Sequence, residues 1–412
     1  MLLLFMQEVL KKIKPSPEEI KKTAAVVASF LKILNKNFKK AEAILGGSGA
    51  KGTWLKSSHD VDIFVRFNYK EFKERSADLS VLLERQLKKA FPKKKISKLH
   101  GSRDYFQMEY EGTVFEIVPI LKIKKAGDAK NITDISPLHA IWVKKNVKQK
   151  DDVLLLKQFC KAQGAYGAES HIGGFSGYVL EILIGHYGTF EKVLKASLNW
   201  KVKEVIDPAK YYPKNTALFH LNKSKQNSPI IVVDPVDKMR NAAAALSEEK
   251  YQLFRKKAKE YLQHHSEKFF FKEEVDLKKL QGKKNLLLIT IEPLAGKKDV
   301  IGGKVLKVFH FLQQKLAPFG VSKALWEENI MYFVLDQKEL PATLVRNGPP
   351  LTLPEHVQEF KKKNKQTFVK DGKIYATIQV EHSQLGDFIK DVIKDDYVQD
   401  KVKGVKAKLY QS

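Results

Sequence analysis

The chain has 412 residues, 43% of them apolar and 29% charged, a composition that excludes a disordered chain, a fibre or a peptide module. Its 74 Lys and Arg outnumber 47 Asp and Glu, a formal charge of +27 that suits a polyanionic partner, with nucleic acid the first candidate. No apolar run approaches the roughly 18 residues needed to span a bilayer, and the single cysteine, Cys160, allows neither an intrachain disulfide nor a cysteine-based zinc site, so a cytoplasmic protein without a membrane role is expected.

The opening Met1–Met6 run is apolar but short, has no basic lead and meets no small-residue cleavage site, so no signal peptide is expected. Ser16-Pro17-Glu18-Glu19 combines a capping Ser, Pro at the first helical position and Glu three residues after the cap, which predicts a helix start. Ile20, Val27, Leu31, Leu34 and Phe38 then recur at helical spacing until Gly46-Gly47 breaks the pattern. Strands are expected over 61–67, 105–110 and 114–121, the last two joined by Glu111-Gly112, with a helix between them over 79–90. From Asp151-Asp152 helices dominate, over 151–163, 175–188, 189–200 and 247–265, interrupted by one β-like stretch at Ile230–Val233. Cys160 lies within the first of these helices and reads as core. Strands near 286–291, 330–335 and 374–380, with helices over 304–316 and 384–393, make the last region mixed again. The fold class is α+β, and the expected division is 1–145, 146–265 and 266–412.

The most informative stretch is Gly46-Gly47-Ser48-Gly49-Ala50-Lys51-Gly52-Thr53, followed by Asp60-Val61-Asp62-Ile63-Phe64-Val65. Residues two apart on a strand share a face, so Asp60 and Asp62 point together while Val61, Ile63 and Val65 pack on the other side. Two adjacent carboxylates repel, and in a phosphoryl-transfer site divalent cations relieve that repulsion. Glycine lets backbone N–H groups approach phosphate oxygens, and the Ser48 hydroxyl can donate to a terminal phosphate. Either element alone is commonplace, as a turn or as the solvent face of a strand.

Gly-Ser followed after 11 residues by Asp-hydrophobic-Asp-hydrophobic resembles the signature of the nucleotidyltransferase superfamily, which includes DNA polymerase β, poly(A) polymerases and CCA-adding enzymes. Gly52-Thr53-Trp54-Leu55, Ser136-Pro137-Leu138-His139, Tyr166-Gly167-Ala168-Glu169 with Gly174-Phe175-Ser176-Gly177-Tyr178, and Asp234-Pro235-Val236-Asp237-Lys238-Met239-Arg240-Asn241 extend the likeness. Over about residues 40–260 the chain resembles the archaeal, class I CCA-adding tRNA nucleotidyltransferases; beyond that it is similar only in length and basic character.

The resemblance implies a polymerase-β-like catalytic head with a mixed sheet at 1–145, a mainly helical nucleotide-recognition domain at 146–265 and an α+β tRNA-binding region at 266–412. It implies a third carboxylate, for which Glu116 is chosen and Glu109 or Glu111 are the alternatives; relatives usually carry Asp there. It further implies Mg²⁺ held by Asp60, Asp62 and Glu116. Ser48, His139, Lys157 and Tyr166 would hold the triphosphate and Arg240 would contact the incoming nucleotide, with Gly47 and Lys51 completing the nucleotide-binding set. Lys51 stands where relatives often have Arg. Taken alone, His139 and Tyr166 read as packed scaffold and Lys157 as a solvated helix position.

The implied reaction is untemplated addition of CCA to the tRNA 3′ end from CTP and ATP, releasing pyrophosphate. The alternatives are a poly(A) or other terminal RNA polymerase and, in a different class, a catalytically silent RNA-binding protein. Lys361, Lys362, Lys363 and Lys365 suit phosphate contacts or form a solvated face. A homodimer is an assembly the sequence leaves open.

Overall fold

The computed structural model describes residues 2–56, 60–213, 216–272, 275–282, 284–296 and 298–410, so of the opening apolar run Met1 lies outside the described residues. The chain separates into two compact units, Met1–Glu273 and Glu274–Ser412.

In the first unit the Ser16 hydroxyl accepts from the Glu19 N–H and the Glu19 carboxylate accepts from the Ser16 N–H, which starts the helix Pro17–Asn37 where the capping box is written. This helix and Leu79–Ala90 cover one face of a mixed sheet made of β1 (Ala41–Leu45), β2 (Asp60–Phe67), β3 (Ser97–Leu99), β4 (Tyr105–Tyr110) and β5 (Thr113–Leu121). The strand order is β1-β2-β5-β4-β3, and only β2 and β5 are parallel. Ile63, Val65, Phe115 and Ile117 point into the core with Phe30, Leu34 and Leu83. Strand alternation therefore leaves the even-numbered residues of β2 and β5 on the other face. Glu111 and Gly112 take φ values of 48° and 72°, the left-handed pair that a two-residue hairpin requires.

A second core gathers the helices Lys150–Ala162, Gly177–Tyr187, Phe190–Leu198 and Glu248–Gln263, with a small sheet of β6 (Glu204–Ile206), β7 (Ile230–Asp234) and β8 (Asp237–Asn241) beside them. Val9 and Ile13 of the first helix, Leu2–Ile13, belong to this core and not to that of the five-stranded sheet. Phe269 and Phe270 are buried in it as well, so the first unit runs past the residue 265 at which the sequence suggests a border.

Between the two cores the buried Asp134 carboxylate accepts from the Leu121, Lys130 and Asn131 N–H groups and from Arg103, whose Nη1 lies 2.6 Å away. These bonds fix how the chain leaves β5 and enters the helix Ser136–Asn146, which carries His139.

The second unit contains β9 (Asn285–Pro293), β10 (Val321–Glu327), β11 (Ile330–Leu335), β12 (Thr343–Pro350), β13 (Thr367–Lys370), β14 (Lys373–Gln379) and β15 (Val402–Tyr410). An antiparallel sheet in the order β10-β11-β9-β15 packs against Val308, Leu312 and Leu316 of the helix Lys298–Leu316. A separate three-stranded sheet runs β12-β14-β13, with the helix Pro354–Lys363 on one face and Lys361, Lys362 and Lys363 in that helix's last turn. Among the described residues no helix is long and apolar enough to cross a membrane.

Candidate active site

The parallel pairing of β2 with β5 sets Asp62 directly opposite Glu116, with Asp60 two residues before it on the same face. Gln107 on β4 is the register partner of Glu116, and its Nε2 lies 3.4 Å from the Glu116 carboxylate. Tyr105, also on β4, responds to this crowding: burial, then Glu116, Asp60 and Asp62, push its phenol up to about 12. All three carboxylates thus act on one spot. Burial raises the Asp62 carboxyl above its usual range, Lys51 opposes the rise and Asp60 adds to it. A cavity of about 500 Å³ opens beside Asp60 and Ser48, between Trp54 and the helix Pro17–Asn37, while Asp62 is half-buried and does not line it.

The glycine loop is held to the same strand end. The Gly46 N–H donates to the Asp62 carbonyl at 2.7 Å, and Gly47 takes φ +51° directly above the Asp62 side chain. A Cβ at Gly47 would lie 1.7 Å from Asp62 Oδ2, so no other residue fits without moving the carboxylate. The short helix Gly47–Lys51 follows and ends at Gly52 in the left-handed region, φ 69°. Ser48 and Asp60 line the same cavity.

Lys51 and Thr53 then meet the helical region at a single buried acid, Glu181 of the helix Gly177–Tyr187. Glu181 Oε2 lies 2.6 Å from Lys51 Nζ; its Oε1 accepts from Thr53 Oγ1 at 2.6 Å and from Lys157 Nζ at 2.8 Å. Burial works against the charge on Glu181, yet Lys157 and Lys51 together hold its carboxyl below the usual range. Lys157 also donates to the Thr53 carbonyl at 3.0 Å and approaches Thr53 Oγ1 at 3.2 Å, which engages the donors of its ammonium. Burial is the main reason its pKa falls. A Cβ at Gly177 would come within 2.9 Å of the Tyr166 hydroxyl and 3.4 Å of Lys157 Nζ, so this glycine lets both side chains close on the helix start.

His139 and Arg240 converge on a second buried acid, Asp234 at the end of β7. Asp234 Oδ2 lies 3.0 Å from His139 Nε2 and 2.6 Å from Arg240 Nη1, while Oδ1 accepts from Tyr178 and from the Val236 N–H, each at 3.0 Å. Burial opposes the Asp234 charge, but the His139 hydrogen bond, the Val236 N–H and Arg240 outweigh it and hold the carboxyl down at about 2. Burial lowers the His139 pKa. The His139 and Tyr178 rings stack at 3.9 Å, and Lys51 Nζ sits 5.8 Å from the Tyr178 ring centre, linking the two acid-centred clusters.

The expected site residues therefore fall into three adjoining groups. Gly47 and Ser48 lie with Asp60, Asp62 and Glu116; Lys51, Lys157 and Tyr166 surround Glu181; and His139 and Arg240 share Asp234. Glu109 and Glu111 do not join them: Glu109 shares the face, but it sits on β4 with Val114 between it and Asp60, whereas Glu116 is the direct neighbour of Asp62, and Glu111 is in the hairpin turn. Sequence reasoning missed Glu181, Tyr178, Tyr105 and the bridging role of Asp234. Glu181 had a visible signal: it is the one carboxylate in an otherwise apolar helix, a pattern that predicts a buried, paired charge.

Donor chemistry fits a divalent cation, since hard carboxylate oxygens are its preferred ligands and the strand register puts three of them together. Among the described residues no three His, Cys, Asp or Glu side chains already stand at metal-ligand spacing, so side-chain torsions must bring the oxygens onto the ion. The nucleotidyltransferase superfamily is generally dependent on such a metal.

Comparison with known proteins shows the family to which the chain belongs. The nucleotidyltransferase domain family matches residues 27–139, and the second domain of tRNA nucleotidyltransferases matches residues 151–271. The chain is 35% identical to the CCA-adding enzyme of Nanoarchaeum equitans over 88% of this chain and 90% of that one. It is 32% identical to the CCA-adding enzyme of Pyrococcus abyssi, with 96% and 90% covered. Among solved structures, a Cid1 poly(U) polymerase bound to MgATP superposes with a TM-score of 0.51 at 14% identity, over 65% of this chain and 98% of that one, a likeness of fold alone. The three carboxylates of a mixed nucleotidyltransferase sheet, the glycine loop above them and relatives aligned along nearly the whole length place this chain in the family of CCA-adding enzymes, the tRNA nucleotidyltransferases.

Proposed function

We propose that this CCA tRNA nucleotidyltransferase adds C, C and A to tRNA 3′ ends from CTP and ATP, without a template and with release of pyrophosphate. The observation that carries the reading is the placement of Asp60, Asp62 and Glu116 on one face beneath Gly47 and Ser48. Asp60, Asp62 and Glu116 would hold Mg²⁺, which when bound supplies charge to polarise the attacking hydroxyl and the leaving phosphate. The Gly47 backbone and the Ser48 hydroxyl orient the terminal phosphates. Lys51 supplies the nearest cationic donor. Lys157, whose donors are engaged by Glu181 and Thr53, contributes charge and holds Thr53 and Glu181 in place, and Tyr166 packs beside it. Arg240, tied by one arm to Asp234, presents the remaining arms of its guanidinium to the incoming base, and His139 shares that anchor.

A terminal polymerase that adds only A would share the carboxylates and the loop, so nucleotide choice tests the reading. Purified protein given tRNA lacking its last three nucleotides, Mg²⁺ and one labelled nucleotide at a time should incorporate C from CTP and nothing from UTP or GTP. ATP should be used only once two C residues are present. A chelator should abolish all incorporation. Repeated A addition in the absence of CTP would overturn the assignment, and RNA binding without any Mg²⁺-dependent incorporation would support a silent binding protein.

A further inference from the structure

Arg240 stands on a strand that its own sheet holds loosely. β8 is the edge of the order β6-β7-β8, and its register with β7 matches Val233 to Asn241 and Asp234 to Asp237. Because Val233 and Asp234 are adjacent, that register leaves Lys238, Met239 and Arg240 in a bulge between the two pairs. A bulge re-aims a side chain, here a guanidinium, and takes backbone groups out of the ladder, so they need other partners.

Side chains from the excursion between β6 and β7 supply them. Tyr212 Oη donates to the Lys238 carbonyl at 2.7 Å, and Lys225 Nζ donates to the Met239 carbonyl at 2.8 Å. On the other side of Arg240, Asn241 Nδ2 donates to the Lys225 carbonyl and to Ser228 Oγ, each at 2.8 Å, while its Oδ1 accepts from the Val232 N–H at 3.0 Å. Tyr212 is itself fixed. Its N–H donates to Asp207 Oδ2 at 2.9 Å, its ring stacks on His220 with centres 5.2 Å apart and 18° between planes, and it packs on the small core of Ala217, Leu221, Ile231 and Val233. Arg240 is therefore held at both ends, at its guanidinium by Asp234 and at its backbone by the excursion.

Such placement matters for base choice. A guanidinium only donates, and the Watson–Crick ring nitrogen of cytosine or adenine accepts, whereas that of uracil or guanine carries a hydrogen. The contact separates the bases only while the donors stay aligned with that one atom.

We propose that Tyr212 and Lys225 are positioning residues for nucleotide choice: by binding the Lys238 and Met239 carbonyls they set where the Arg240 guanidinium meets the incoming base. The proposal rests on the reading of Arg240 as the base contact. Each residue acts through the backbone of β8, and the charge of Lys225 is incidental to the role.

The test uses full-length protein and tRNA lacking CCA, and it compares kcat/KM for CTP with kcat/KM for UTP on that same RNA. A change in RNA binding or in the folded fraction alters both values equally and cancels in their ratio, so a merely structural role would not move it. Tyr212→Phe keeps the ring and loses one hydrogen bond, and it should lower the CTP-over-UTP ratio about fivefold. Lys225→Met should lower it by about the same factor. Arg240→Ala should lower the ratio about a hundredfold or more, and Arg240→Lys, which keeps a cation for Asp234 but lacks the fork, serves if the alanine variant does not fold. In either Arg240 background Tyr212→Phe should change the ratio no further. An unchanged ratio in folded Tyr212→Phe or Lys225→Met, with the Arg240 variants still relaxed, would overturn the proposal alone. An equal loss from Tyr212→Phe with and without Arg240 would overturn it too, since the tyrosine would then act by another route. If the Arg240 variants kept the wild-type ratio, the reading of Arg240 would fall and the proposal with it.

Discussion

Two sheets in this chain each turn one face to a helix and use the other for polar groups, yet strand alternation fills those second faces with opposite chemistry. In the five-stranded sheet Asp60, Asp62 and Glu116 crowd together, and burial with these three carboxylates pushes Tyr105 up to about 12. In β12-β14-β13 no strand position on the open face is acidic, and lysines flank a ring pair. The first face repels polyanions unless cations neutralise it, and the second carries positive charge only. A period of two decides only which residues share a face; the identity of those residues decides the charge that face presents.

The largest effect should come from the acidic face. Asp60→Ala or Asp62→Ala should lower both C and A addition by about a thousandfold or more, in line with the loss of several kcal/mol of metal-based stabilisation, while tRNA binding measured in parallel is retained. Glu116→Ala should be as inactive, whereas Glu116→Asp should keep activity by restoring the family's usual residue. Wild-type C addition by either Asp variant would break the comparison at its acidic end.

Removing the second unit tests the basic end. A cut after Lys272 leaves Phe269 and Phe270 in the core they complete, whereas a cut after Glu267 would strip both from it. The shorter protein, if its unfolding remains cooperative, should bind tRNA about a hundredfold more weakly at moderate salt and with a smaller salt slope. C addition should persist at high RNA concentration. An unchanged slope would mean that the second unit's lysines are solvated surface.

Glu181→Gln sharpens the account of the first unit. It leaves Lys51 and Lys157 close together and buried without their shared acid, and breaking such a pair costs about 3–5 kcal/mol. A lowered unfolding temperature should accompany a raised KM for CTP and ATP alike. A change in stability with no change in KM would make Glu181 a fold element alone.

The smallest effect concerns Asp234. Its carboxyl is depressed from 3.8 to about 2, so the stability it contributes is complete above its ordinary value and is lost as pH falls through about 2. Relative to Asp234→Asn, the wild type should be more stable by about 2 kcal/mol above pH ~4, with the gap closing between pH ~4 and ~2 in acid unfolding.

How much of this was legible in the sequence depended on how local the cause was. The Ser16 capping box, the Asp60–Asp62 alternation and the Glu111-Gly112 turn are short-range rules, and each appears where the residues prescribe it. β1 does not follow from Ala-Glu-Ala-Ile-Leu, whose strand propensity is weak. It forms because it pairs with β2 and because the Asn35 side chain bonds both the N–H and the carbonyl of Ala43. β15, which carries Lys403, Lys406 and Lys408, is not among the expected strands; it is the edge partner of β9, where lysines belong. At the site the same division holds. The carboxylates and the glycine loop are close in sequence, whereas Lys51–Glu181 and His139–Asp234 join residues 130 and 95 positions apart.

The central claim is that one acidic face carries out ordered addition of three nucleotides. It is tested most directly by reading the 3′ ends of tRNA lacking CCA after incubation with wild-type protein, Mg²⁺ and all four nucleotides. The account predicts ends that finish in CCA and then stop growing. Ends that lengthen into runs of A, or that remain unextended, would contradict it.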